Sequence, residues 1–105
     1  MEPGPPQVAD APERSRYEAR VDGVLAGWAE YRDRGEERTF THTEVTVEGR
    51  GVGGALARAA LDDVRARGLR AVPMCPFIAA WIRRHPDYAD LVPERRRDLL
   101  EERGR

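Results

Sequence analysis

Apolar and polar positions divide the chain into two unlike halves. From residue 17 to 47 they alternate or give way to β-branched clusters, and from 52 to 86 the apolar positions recur at threes and fours. Residues 17–21 read as a first strand, ended by a turn at Gly23. "VLAGWAEYRD" (24–33) reads as a second, with Leu25, Trp28 and Tyr31 as its large apolar residues. "RGEE" (34–37) is a hairpin loop, and "RTFTHTEVTV" (38–47), dense in threonine and valine, is a third strand. Val52, Ala55, Leu56, Ala59, Ala60 and Val64 form one stripe, which predicts a helix over about 52–67 stopped by Gly68. "LRAVPM" (69–74) reads as a short buried strand. "PFIAAWIRRHP" (76–86) reads as a helix opened by Pro76 and closed by Pro86. "DYADLV" (87–92) is a loop, and a third helix starts at Pro93.

The predicted order is β-β-β-α-β-α-α. Antiparallel strands come first, then one βαβ crossover whose two strands lie side by side and parallel. This is an α/β domain, a small mixed sheet with helices packed on it, over 16–105. Residues 1–15 hold four prolines and few large apolar groups, too little to offset their ordering entropy, and are expected to be disordered.

Composition narrows the function classes. With 105 residues there is room for one small domain. No run of 18 apolar residues spans a membrane, and the N-terminus lacks a signal peptide's basic and apolar regions, so the expected location is cytoplasmic. The formal net charge of −1 argues against a nucleic-acid partner. All 18 basic residues are arginine, which reads as a compositional bias. One cysteine, Cys75, excludes an internal disulfide, and two histidines with one cysteine argue against a bound metal.

Four glycines fall within six positions at the predicted strand-to-helix junction: Gly49, Gly51, Gly53 and Gly54. A helix N-terminus offers backbone N–H groups without internal partners, and phosphate fits there when no Cβ blocks it. The spacing formally matches G-x-G-x-x-G, but the chain lacks the length and strand order of a dinucleotide-binding domain. G-K-S/T is absent, which excludes a Walker loop. A turn that only allows close helix–strand packing is the plain alternative.

Glu48, Gly49, Arg50, Gly51, Val52 and Gly53 resemble the pyrophosphate-binding signature of Gcn5-related N-acetyltransferases, Q/R-x-x-G-x-G/A, with glutamate in the first place. The resemblance extends through "FTHTEV", the glycine loop, C-P-F and H-P, over about 17–91. It points to the short single-domain, YjdJ-type acetyltransferase-like proteins. It implies a compact GNAT-like acyl-CoA N-acyltransferase fold and acetyl-CoA as the coenzyme. The pyrophosphate would sit on Arg50, Gly51, Val52, Gly53, Gly54 and Ala55. The pantetheine would lie where the two parallel strands splay, after Val45, Thr46 and Val47 and after Val72–Met74, beside Cys75 and Phe77. The backbone N–H of Val45 would face the thioester oxygen.

Four further readings concern chemistry. His42 and Glu44 alternate on the third strand, share a face about 7 Å apart, and are either a general base pair or a solvated surface. Cys75 precedes a helix N-terminus, where thiols ionise more readily. It is an acyl carrier, a proton donor to the leaving thiolate, or a small buried residue. Phe77 and Trp81 stand where many full-length acetyltransferases carry a tyrosine as proton donor; the next tyrosine is Tyr88. Arg83, Arg84 and His85 either meet the 3′-phosphate of CoA or form a solvated helix end.

These readings predict an N-acetyltransferase whose amine acceptor attacks acetyl-CoA directly. The acceptor is open in kind and includes a protein or other large molecule, and the chain is a monomer or weak homodimer. The alternative is a CoA-binding sensor or partner module without turnover, and a third reading is a ligand-free structural domain.

Overall fold

A computed structural model describes residues 4–101. The elements are β1 (Gln7–Ala11), β2 (Arg16–Val21), β3 (Val24–Arg34), β4 (Glu37–Val45), α1 (Val52–Ala66), β5 (Arg70–Pro73) and α2 (Pro76–Arg84). Short 3-10 segments lie at Pro12–Arg14, Pro86–Leu91 and Glu94–Leu100. The strands make one sheet in the order β1-β2-β3-β4-β5. Neighbours are antiparallel up to β4, and β4 runs parallel to β5 across the α1 connection. The mixed sheet and its single crossover therefore follow the sequence reading.

Three expectations are corrected. The N-terminal segment expected to be disordered carries β1 and the 3-10 turn Pro12–Arg14. Val8 packs against the core, Ala11 is buried, and Asp10 accepts the hydroxyl hydrogen of Tyr31 at 2.6 Å. Few anchors suffice for an edge strand, because its ladder hydrogen bonds come from the backbone. Residues 1–3 lie outside the described residues. The helix expected from Pro93 is a 3-10 segment interrupted at Arg96 (φ −117°, ψ 17°). Arg95 reaches back to Glu37 at 2.7 Å, and Arg97 Nε donates to the Val92 carbonyl at 2.8 Å. These tertiary bonds replace the regular helical ladder, and residues 102–105 lie outside the described residues. The loop expected at 87–92 is mostly a 3-10 turn that buries Tyr88 and Leu91.

One face of the sheet is covered by α1, whose buried residues are Val52, Leu56, Ala57, Ala60, Leu61 and Val64. The stripe is rotated relative to the predicted one. Ala55 and Ala59 are only half-buried, because they turn toward a shallow groove beside Val8. Tyr17, Tyr31 and Phe40 meet beneath α1 with ring centroids 5.2–6.4 Å apart. Arg38 is buried with them, bidentate to Asp33 at 2.7 and 2.8 Å and donating to the Tyr17 hydroxyl at 2.7 Å. A buried charge so satisfied avoids the penalty of an unpaired one. No helix among the described residues is long and apolar enough to cross a membrane.

A bulge in β4 positions the site. Glu30 stands opposite His42 while Tyr31 stands opposite Phe40, which leaves Thr41 as an extra residue. Before the bulge, Arg38 and Phe40 face the helices. After it, Val45 does, because its partner Gly27 lies against Val52 and Leu56 of α1. Thr43 shares that face, and His42 and Glu44 fall on the open one.

Candidate functional site

The loop between β4 and α1 turns on two left-handed glycines, Gly49 (φ 78°) and Gly51 (φ 72°). Gly51 is the N-cap of α1, and no side chain caps the helix. The N–H groups of Gly51, Val52, Gly53 and Gly54 thus have no acceptor within the helix. Ala55 differs from the sequence reading: its N–H donates to the Gly51 carbonyl at 3.0 Å. The run of N–H groups without an acceptor in the helix ends at Gly54.

This helix start opens onto a cleft of about 510 Å³ between the end of β4 and α2. Of the residues expected to hold the coenzyme, Val45, Val47, Gly51, Val52, Gly53, Gly54, Phe77 and Arg84 line it. Thr46, Arg50 and Cys75 do not. Thr46 is exposed and its N–H is bonded to the Ala26 carbonyl at 2.8 Å, turned toward β3. Glu48, Gly49, Trp81 and His85 complete the lining. Of these, Trp81 and His85 are the informative additions: their rings stack at 3.8 Å, 14° apart, and His85 Nδ1 bonds the Trp81 carbonyl at 2.8 Å. Their four-residue spacing on a helical stretch was the signal available for that pair.

The deep end of the cleft is the sheet itself. Parallel pairing of β4 with β5 stops at Phe40 and Pro73. The Cys75 N–H then bonds the Phe40 carbonyl at 2.9 Å, and β5 gives way to α2. Beyond Phe40 no described strand pairs with this edge of β4. The Thr46 N–H points to β3, and ladder bonds alternate along an antiparallel strand, so Val45 and Thr43 turn their N–H groups toward the open edge.

Cys75 is 3% exposed, and its Sγ lies 3.3 Å from the Thr43 hydroxyl. Alternation alone did not single out Thr43, because the bulge that aims it at Cys75 is invisible in the residue pattern. On the other side of the strand, His42 Nε2 and Glu44 Oε1 are hydrogen-bonded at 2.8 Å, both partly solvated. The two residues predicted to share a face are in direct contact.

An uncapped glycine-rich helix start thus adjoins an open parallel-strand gap, and a histidine–carboxylate pair lies on the gap's strand, on the other face of the sheet. The family model of the GCN5-related N-acetyl-transferases matches residues 16–91. The chain belongs to this family. No curated protein matches it.

For a GCN5-related chain the position of Tyr88 has a consequence. Its hydroxyl donates to Asp62 of α1 at 2.7 Å and meets Arg58. The hydrogen bond to Asp62 raises its pKa, with burial adding to the shift. Tyr88 is therefore held on α1, outside the lining of the cleft, and Thr43 and Cys75 are the proton-bearing side chains beside the gap.

Proposed function

We propose that the protein transfers an acetyl group from acetyl-CoA to an amine by direct attack on the thioester. The observation that carries this reading is the juxtaposition of the uncapped start of α1 with the unpaired edge of β4. A coenzyme diphosphate fits the four free N–H groups from Gly51 to Gly54, where neither a side-chain cap nor an acidic residue in the first turn competes. The cleft is wide enough for a pantetheine arm running from that cradle to Val45, and Arg84 at its rim suits the 3′-phosphate.

Bound acetyl-CoA supplies an activated acyl carbon. Val45 presents its N–H at the strand edge, where oxyanion charge would develop. His42 and Glu44 act on the acceptor. With Nε2–H given to Glu44, the imidazole keeps Nδ1 as a proton acceptor, and the carboxylate stabilises the cation that follows. The Thr43–Cys75 pair is the proton source for the departing thiolate. The buried thiol suits a proton donor better than an acyl carrier, which needs access to solvent-borne acceptors. A cytoplasmic location goes with this reading.

Isothermal titration with acetyl-CoA tests binding, and turnover with amines tests transfer. The reading expects both. Binding without transfer to any amine would leave a CoA-binding module, and absence of binding would overturn the reading altogether.

A further inference from the structure

The face of the sheet opposite α1 carries a second cavity, of about 580 Å³, and it begins at His42. The strand register arranges its residues in rows. Arg16 of β2, Glu30 of β3 and His42 of β4 stand opposite one another, and Glu18, Trp28 and Glu44 form the next row. The groove thus runs from the histidine–carboxylate pair across two strand spacings, about 10 Å, to a cationic end. That end is made by Arg14 and Arg16, with Arg32 two residues along β3 from Glu30.

The two ends differ in what they leave unmet. At the β4 end, Glu30 accepts the Trp28 indole N–H at 3.0 Å. It joins Glu44 in making that end suited to an amine. At the other end, Glu18 lies beneath the arginines, 7% exposed. It accepts Arg14 at 3.1 Å, Arg16 at 2.8 Å and Arg20 at 3.2 Å. One carboxylate faces three guanidinium groups, and Arg16 is further fixed by lying 4.7 Å over the Trp28 ring. Arg32 is exposed, and its side chain makes no hydrogen bond or ion pair with any described residue. The helices leave this face open, so the groove is reached from the side opposite the glycine loop.

We infer that the groove is the acceptor site and selects an amine that bears an anionic group about 10 Å from its nitrogen, held by Arg32 with Arg14 and Arg16. The inference rests on the acetyl-transfer reading for the word acceptor and on the groove alone for the ligand's charge pattern. An α-amino acid is too short to bridge the two ends. An extended ω-amino acid, or a peptide amine followed by an acidic side chain, has the reach.

The test uses paired probes of equal length. In one arm, 8-aminooctanoate is compared with 8-aminooctanamide. In the other, a tripeptide amide ending in glutamate is compared with one ending in glutamine. Acetylation is followed with acetyl-CoA, and binding to the coenzyme-free chain is measured separately by calorimetry. The acidic member of at least one pair should be preferred at least about tenfold in kcat/KM and in Kd, as one charge-assisted contact supplies. Arg32→Gln should reduce that preference to about threefold or less. The arm that shows the preference identifies the source as a free ω-amino acid or a peptide. Equal acetylation of acidic and neutral members would overturn the inference and leave acetyl transfer intact. Arg32-dependent binding of the acidic probe without acetylation would support the groove's selectivity and overturn the transfer reading. No difference in either measurement would overturn the inference.

Discussion

The bare Cα of Gly53 lies under the ring of Phe77: a methyl group added there would stand 2.7 Å from the ring's Cζ. Cζ is the far end of a side chain that is 36% exposed, so the ring can swing aside. It would swing within the cleft that both residues line. Stability and coenzyme binding should therefore separate. Alanine favours a helix interior over glycine by about 0.5–1 kcal/mol, which offsets the displaced ring. Gly53→Ala should melt within a few degrees of the wild type yet bind acetyl-CoA about tenfold more weakly, since one lost amide contact to a phosphate amounts to about 1.5 kcal/mol. Calorimetric titration beside a thermal melt checks this. Unchanged affinity would show that the first turn of α1 does not approach the ligand.

Gly27 behaves in the opposite way. A Cβ there would stand 2.7 Å from the Glu44 carbonyl oxygen and 2.9 Å from Val52 Cγ1. A backbone oxygen in a paired strand cannot move aside as a ring can. Gly27→Ala should cost about 1–3 kcal/mol, the usual penalty of overpacking. It should also push α1 away from β3 and disturb the strand that carries Val45. Urea unfolding measures the loss, and a variant as stable as the wild type would contradict the close approach.

The contrast between these two glycines shows what the sequence could and could not disclose. Gly53 was legible because it belongs to a local pattern, a strand followed by glycines and then a helical stripe. Gly27 was read only as part of a strand, because its constraint comes from Glu44 of β4 and Val52 of α1, 17 and 25 residues further along the chain. The same divide runs through the rest of the molecule. The crossover and the pairing of His42 with Glu44 follow from local periodicity. The Thr41 bulge, the Thr43–Cys75 contact and β1 depend on partners distant in sequence. The cationic groove was likewise hidden, since Arg14, Arg16 and Arg32 come together only through strand register. The charged run after Pro93 has helical propensity, but Arg95 and Arg97 bond outside it, and tertiary bonds override propensity.

His42 and Glu44 lie on the open face, away from the glycine cradle, so their loss should act on turnover and spare coenzyme binding. His42→Ala should lower kcat by about 10²–10⁴, the usual contribution of a positioned base. Glu44→Gln keeps the hydrogen bond but not the charge that stabilises the imidazolium, and should lower kcat less. The acetyl-CoA Kd should stay within about twofold of the wild type in both variants, well below one charge-assisted contact. Steady-state kinetics over pH with a parallel titration separates these effects. Full turnover by His42→Ala would remove the histidine from the mechanism.

Acid should loosen the fold through two carboxylates. The hydrogen bond from Arg16 holds Glu18 below the usual glutamate range, and the one from Arg38 holds Asp33 below the usual aspartate range. In both, the folded pKa lies under the unfolded value of about 4. Over that window the unfolded chain binds more protons, so stability increases with pH. The contribution is complete above the unfolded pKa and disappears as pH falls through the folded one. The melting temperature should thus be nearly flat from pH 7 to about 5 and fall steeply below about 4. Glu18→Gln removes one titrating group while keeping a hydrogen-bond acceptor, and should flatten the acid limb while lowering the plateau. Arg38→Met should flatten it as well, with a larger loss at neutral pH, because Tyr17 and Asp33 both lose a donor. An acid limb as steep in both variants as in the wild type would mean that other carboxylates carry the acid sensitivity of the fold.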